Sequence, residues 1–418
     1  MSGESPSTPF SRTPTPGVRL VVVAAVLLLS ACQGSGAAPD QATGPGAEAT
    51  APGSQQGTQG SDPTSAPRAR LLVQGGLRTD LPVDTQVVLQ AEEGVLTSLT
   101  ASSPQGEVPG EIAAQGREWR LTGRLEPGTT YRAIGVVNRP DGTTQQVRTS
   151  FGTSALTLDQ QTYPSVAPLA GETVGVGMPV IVTFDVPVTD RVTFEEHMRV
   201  TSVPSQVGSW HWLSSREAHW RPREYWQPGS RVRVEVDVNS LPAGGGVYGQ
   251  ESRVVDFRVG DSVVSRVDVD THRMNVFING DLARSMPISA GKPGWETRSG
   301  VKVIIEKFRR KTMDAATIGV SEDDPEYYAL SNVEYAMRVT YSGEFLHAAP
   351  WSTGSQGRAN VSHGCVGMST ADAGWLYELT KRGDVVEVAG SARQMTLTNG
   401  YGDWNVGFAD YRAGSALS

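Results

Sequence analysis

Short alternating runs dominate the middle of the chain. Thr130 to Val136 (Thr-Tyr-Arg-Ala-Ile-Gly-Val) and Val232 to Val238 (Val-Arg-Val-Glu-Val-Asp-Val) set apolar against polar residues at nearly every second position, the period of a half-buried strand. Each run follows a Pro-Gly turn, at Pro127-Gly128 and Pro228-Gly229. Each turn follows a Trp-Arg pair eight residues earlier, Trp119-Arg120 and Trp220-Arg221. The second set lies 101 residues after the first, and each closes on an extended segment carrying Phe151 or Phe257. A repeat of about 100 residues built from short alternating strands predicts a mainly β chain opening with two tandem immunoglobulin-like β-sandwiches. We place them at 68–153 and 154–260. They hold no cysteine pair, so they are disulfide-free variants, and Trp119 and Trp220 read as core residues. The second repeat also concentrates His211, Trp212, His219, Trp220, Tyr225 and Trp226, a density that suits contact with a neighbouring domain better than glycan binding.

The pattern changes at Asp261. Val264, Val267 and Val269 open a strand, and Arg273 to Ile278 form another that ends at Asn279-Gly280. That dipeptide favours a type I′ hairpin turn, whose central residues both need positive φ. Ser369 with Asp372 three residues on marks a helix start, and Gly383 a stop, predicting a helix over 370–382. A third, β-rich domain with one or two short helices therefore spans 261–390. Beyond it, 391–418 carries Tyr401, Trp404, Phe408 and Tyr411 and is expected to dock back on the second sandwich.

The N-terminal residues read as targeting sequence. The apolar run Leu20–Leu29 is too short to span a bilayer but suits the core of a secretory signal. Leu29-Ser30-Ala31-Cys32 follows it and resembles a bacterial lipobox, which implies cleavage before Cys32 and lipid attachment to it. Residues 1–32 are thus a lipoprotein signal, and the expected location is the outer face of the cell membrane, lipid-anchored in the cell-wall space. Residues 33–67 are Gly, Ala, Pro, Ser, Thr and Gln with almost nothing large and apolar, a flexible linker with a reach of roughly 30–35 Å. The formal charge of −8 comes without a basic cluster, which argues against nucleic-acid binding.

Composition brings one more residue forward. The chain has two cysteines; with Cys32 in the signal, Cys365 has no disulfide partner in an exported protein, and a thiol kept there is more readily explained by reactivity than by packing. It sits in Ser362-His363-Gly364-Cys365, and His347 lies upstream with fourteen residues between it and Ser362. No histidine follows Cys365, which excludes cell-wall hydrolases that place Cys before His. The Thr-Leu-x-Thr-Cys context of sortases is absent, and His197, His211, His219 and His272 lack metal-ligand spacing. No metal and no cofactor are expected.

The His…Ser-His-Gly-Cys arrangement resembles the signature of the L,D-transpeptidase catalytic domain (YkuD type), over about 261–390 and most specifically over 345–369. The layout with two sandwiches is similar to actinobacterial lipoprotein L,D-transpeptidases. The resemblance implies an acyltransferase of peptidoglycan biosynthesis in which Cys365 is the nucleophile and His347 its base. His347 would be oriented by the main-chain carbonyl of Ala348, and His363 would shape the pocket. Ser362 belongs to the same turn, and the Gly364 and Cys365 amides would bind the oxyanion with help from a tyrosine, Tyr327 or Tyr328. A lid over about 311–333 would bring Met313, and Trp351 would wall the pocket. The partners implied are peptidoglycan stem peptides, as tetrapeptide donor and amine acceptor, with carbapenem-type β-lactams as inhibitors. The reaction would be 3→3 cross-linking between diaminopimelate residues through a Cys thioester. The alternatives are an L,D-carboxypeptidase that uses water as acceptor, and a wall-binding lipoprotein that has lost turnover. The second arises because Gly367 stands where the family usually has asparagine.

Overall fold

The computed structural model describes residues 68–418; Cys32, the lipobox and the 33–67 linker lie outside the described residues. The first sandwich has two four-stranded sheets. One runs in the order Arg70–Val73, Val88–Glu92, Glu118–Leu121, Gly110–Ala113, and the other Gly106–Val108, Val95–Ser103, Thr130–Asn138, Thr144–Gly152. The alternation of Thr130–Asn138 turns Tyr131, Ala133 and Val137 inward. Tyr131 stacks on Phe151 with ring centroids 5.0 Å apart, and Trp119 is buried beside them.

The second sandwich pairs the sheet Pro164–Ala167, Val180–Phe184, Glu217–Pro222, Gly208–Trp212 with the sheet Thr173–Val174, Arg253–Val259, Arg231–Val236, Met198–Val203. Val232, Val234 and Val236 point into its core, where Trp220 stacks on Trp226 at 5.3 Å. That core does not stop at the sandwich. Val303, Ile305, Val385 and Tyr401, all beyond residue 260, belong to the same contiguous apolar cluster.

Two further sheets follow. The first has five strands in the order Asp281–Pro287, Arg273–Ile278, Val263–Asp268, Val385–Ala389, Gly300–Val303. Asn279 and Gly280 link its first hairpin with φ of 50° and 96°. The second has four strands in the order Glu306–Asp314, Ala329–Arg338, Phe345–Ala348, Val366–Met368, the last two parallel. One helix, Thr370–Leu379, packs behind it, with Ser369 Oγ accepting from Asp372 N at 3.1 Å. This helix ends three residues before the 382 predicted from Gly383. Thr380 leaves helical geometry and turns its hydroxyl back on Leu376 O, while Lys307 Nζ takes the Tyr377 and Thr380 carbonyls. The C-terminal carbonyls are therefore satisfied by a lysine from another strand, and Gly383, φ 95°, serves the turn that follows.

The tail lies across the second sandwich. Asp403 and His219 are both buried; His219 Nδ1 is 2.9 Å from Asp403 Oδ1 and its Nε2 is 2.8 Å from Glu217 Oε1. Tyr411 OH donates to the same Asp403 oxygen at 2.9 Å. Arg221 lies over the rings of Trp404 and Tyr411, with its NH2 on Val406 O at 2.8 Å. Further along, Asn405 closes a two-way amide pair with the main chain of Val301, at 2.8 and 2.7 Å.

Burial alone would depress the His219 pKa, but Asp403 and Glu217 outweigh it and raise it to about 9; burial works against Asp403 as well, and the His219 charge holds its carboxyl below the usual range. With both ring nitrogens facing carboxylates, His219 is an imidazolium. Its folded pKa exceeds the ordinary 6.5, so its contribution to stability is complete below about pH 6.5 and is lost as pH rises through about 9. The thermal midpoint of the protein lacking residues 1–67 is expected to fall between pH 7 and 10. His219→Gln should lower the midpoint at pH 7, because the buried Asp403 loses the imidazolium charge that faces it, and should flatten the alkaline fall.

Candidate active site

Cys365 sits in the turn immediately before strand Val366–Met368, and His347 lies on the parallel neighbour Phe345–Ala348. Gly364 adopts φ 118°, a conformation that favours glycine, and a Cβ there would come within 3.5 Å of Glu344 Cγ. Two residues hold the turn. Ser362 Oγ donates to Cys365 O at 2.6 Å and accepts from Gly364 N at 3.1 Å. Thr297 Oγ1 donates to Gly364 O at 2.9 Å and accepts from Gly291 N at 2.9 Å. Of the two amides expected at the oxyanion, the Gly364 N–H donates to Ser362 Oγ, and the Cys365 N–H donates to no group among the described residues.

The thiol is buried among Met313, Val333, Ala336 and Phe345, and its nearest acceptor is Gly343 O at 3.7 Å. Burial pushes its pKa up to about 12, with the Phe345 main chain and Lys302 working the other way. His347 is buried too, which lowers its pKa; its Nδ1–H donates to Ala348 O at 2.8 Å. That bond fixes the tautomer and leaves Nε2 as the free acceptor. Trp351, more than half exposed, stacks on His347 with centroids 5.8 Å apart.

Cys365 and His347 share a cavity of about 260 Å³ with Ser289, Met313, Tyr328, Trp351, Ser362, His363 and Gly367. A second cavity of about 230 Å³ also reaches Cys365, past Met313, Tyr328 and Gly343. The lid is a hairpin of Glu306–Asp314 and Ala329–Arg338 with a loop between them. It brings Tyr328, but not Tyr327, to the cysteine. Tyr328 packs on His363 at 4.9 Å, and burial, with Cys365 and Asp314 nearby, raises its pKa to about 12. Tyr327 lines neither cavity; desolvation, with Asp314 and Glu322 on the lid itself adding to it, raises its pKa. Glu322, Asp323 and Asp324 are exposed.

Several residues of this site carry no signal in the sequence pattern. Glu326 on the lid reaches both His363 Nε2, at 2.8 Å, and Lys292 Nζ. Lys302, 1% exposed, pairs with the buried Glu344, which also takes Arg298 at 2.9 Å. Asn360 accepts from Ala290 N at 2.9 Å and donates to Val269 O at 2.9 Å, tying together the segments that follow strands Asp281–Pro287 and Val263–Asp268. Each is a polar residue scattered among others, and only the fold brings it to the turn.

Residues 262–388 match the L,D-transpeptidase catalytic domain (YkuD), and residues 78–242 match a bacterial Ig domain. L,D-transpeptidase 2 of Mycobacterium tuberculosis is 35% identical over 336 residues, covering 80% of this chain and 81% of the relative. The chain belongs to the L,D-transpeptidases. L,D-transpeptidase 5 of the same organism is 31% identical over 365 residues, covering 85% of this chain and 78% of the relative. A solved L,D-transpeptidase in complex with imipenem is 39% identical, with a TM-score of 0.49 over 54% of this chain and 97% of its own.

The glycine at 367 has a physical reason. Its main chain exchanges hydrogen bonds with Ser289 at 2.8 and 2.9 Å, and a Cβ would come within 2.8 Å of Ala349 Cβ. Gly367→Asn is therefore expected to destabilise the protein by about 1–3 kcal/mol through overpacking, measured by urea unfolding. Ala349→Gly in the same chain should recover part of the loss. For the thiol, a pKa near 12 means that alkylation by iodoacetamide should keep rising between pH 7 and 10. A rise that is half complete near pH 8.5, where an ordinary thiol is half ionised, and has levelled off by about pH 10 would contradict a buried, protonated Cys365.

Proposed function

We propose that this L,D-transpeptidase forms 3→3 cross-links in peptidoglycan by way of a Cys365 thioester. The observation that carries the reading is the His347 ring, held through Nδ1 by Ala348 O with Nε2 left to accept a proton, in the cavity that Cys365 also lines. The raised thiol pKa and the lowered imidazole pKa describe a neutral resting pair, so His347 acts as a base during attack and no ion pair is stored beforehand.

Sγ attacks the carbonyl of the L-centre of diaminopimelate in a tetrapeptide donor, and its proton passes to His347. The carbonyl electron pair becomes an oxyanion at the Cys365 N–H, with Tyr328 OH at the cavity wall as a second donor. Collapse expels D-alanine, which leaves with the proton from His347. The side-chain amine of a second diaminopimelate then attacks the thioester, returning the thiol and giving the cross-link. Two cavities meeting at Cys365 suit a reaction in which donor and acceptor enter separately. Water in the acceptor's place would give the carboxypeptidase outcome. The Leu-Ser-Ala-Cys sequence before the linker supports lipid attachment at Cys32 and work in the cell-wall space.

A carbapenem presents an acylating carbonyl to the same machinery. Intact-mass analysis after incubation with a carbapenem should show one adduct on the wild type and none on Cys365→Ala. No adduct on either would favour the wall-binding reading. With a tetrapeptide stem, loss of D-alanine with dimer formation separates transpeptidation from hydrolysis, which yields tripeptide alone.

A further inference from the structure

The Gly364–Cys365 peptide is held from one side only. Its carbonyl accepts the hydroxyl of Thr297, a residue 1% exposed, at 2.9 Å. In a trans peptide the C=O and N–H point in opposite directions, so anchoring the carbonyl fixes where the Cys365 N–H is aimed. The neighbouring groups of the turn are occupied: Gly364 N–H and Cys365 C=O both bond Ser362 Oγ. The Cys365 N–H alone among these donates to nothing in the described residues, although main-chain donors in folded proteins are almost always paired.

Thr297 is itself fixed. Its oxygen accepts the Gly291 N–H at 2.9 Å. The next residue, Arg298, binds Glu344 Oε1 through both its main-chain N and its NH1, at 3.1 and 2.9 Å, and Lys302 closes the other carboxylate oxygen. Glu344 in turn lies against Gly364. A buried Lys-Glu-Arg cluster carries a desolvation cost that apolar residues would avoid; here it locks the segment that carries Thr297 to the segment leading into the histidine strand.

We propose that Thr297 is a positioning residue: its hydroxyl orients the Gly364–Cys365 peptide so that the Cys365 N–H meets the oxyanion of each tetrahedral intermediate. Thr297 exchanges no proton with substrate. It acts when the Sγ–C bond forms and the carbonyl pair moves to oxygen, and again when the thioester is attacked. The inference rests on the acyl-transfer reading above.

The test compares two reactions of the same thiol in the full chain, for wild type, Thr297→Val and Thr297→Ser. Acylation by a carbapenem passes through an oxyanion; alkylation of Cys365 by iodoacetamide, read by peptide mass, does not. Thr297→Val is expected to slow acylation about 10–100-fold, the scale of a misplaced oxyanion donor, with alkylation within twofold of wild type. Thr297→Ser should restore most of the acylation rate. Acylation of Thr297→Val at the wild-type rate would overturn the inference. So would parallel falls in both reactions, or faster alkylation from an opened turn, either of which reduces Thr297 to structural support. A wild type that alkylates but never acylates would instead remove the acyl-transfer reading, and the inference with it.

Discussion

Everything at this site follows from a thiol kept in an apolar shell. Met313, Val333, Ala336 and Phe345 surround Cys365 and hold it protonated, against only the weak acceptor Gly343 O. A protonated thiol is a poor nucleophile, so reactivity has to be produced when substrate arrives. That places the demand on the groups around it: an imidazole whose free nitrogen is already determined, and an amide whose direction is already set. The same shell limits indiscriminate chemistry, since an exposed thiolate is open to oxidation.

The sequence carried the parts of this arrangement that are local. Alternation in Thr130–Asn138 and Arg231–Val236, the Asn279-Gly280 turn, and the Ser369 cap each depend on a few adjacent residues, and each is present in the structure. The His347 and Ser362-His363-Gly364-Cys365 motifs were legible as a signature; the structure puts His347 on one strand of a parallel pair and Cys365 in the turn before the other. What the sequence left open depends on long-range contact. The choice between Tyr327 and Tyr328 is decided by which face of the lid turns toward His363. The end of the helix at Leu379 is decided by Lys307, about seventy residues earlier. Glu326, Asn360 and Thr297 are common polar residues, and nothing in their local context distinguishes them from solvated surface.

Support for the turn extends well beyond its own sheet. Ser299 and Gly300 lie between Thr297 and Lys302, and the tail pairs with this stretch: Ser299 bridges Gln394, and Asn405 matches both main-chain groups of Val301. The tail is itself fixed to the second sandwich through Asp403, His219 and Tyr411. A chain of direct contacts thus runs from a buried ion pair under the second sandwich to the carbonyl beside the nucleophile.

The apolar cluster that passes from the second sandwich into Val303, Ile305, Val385 and Tyr401 separates two meanings of the word domain. By strand pattern the chain divides near residue 260; by shared interior it does not. The first sandwich has a core of its own. The second sandwich and the catalytic sheets are not interchangeable parts. Either one taken alone would expose the apolar side chains that meet there, so the second sandwich, the catalytic sheets and the tail pack as one unit.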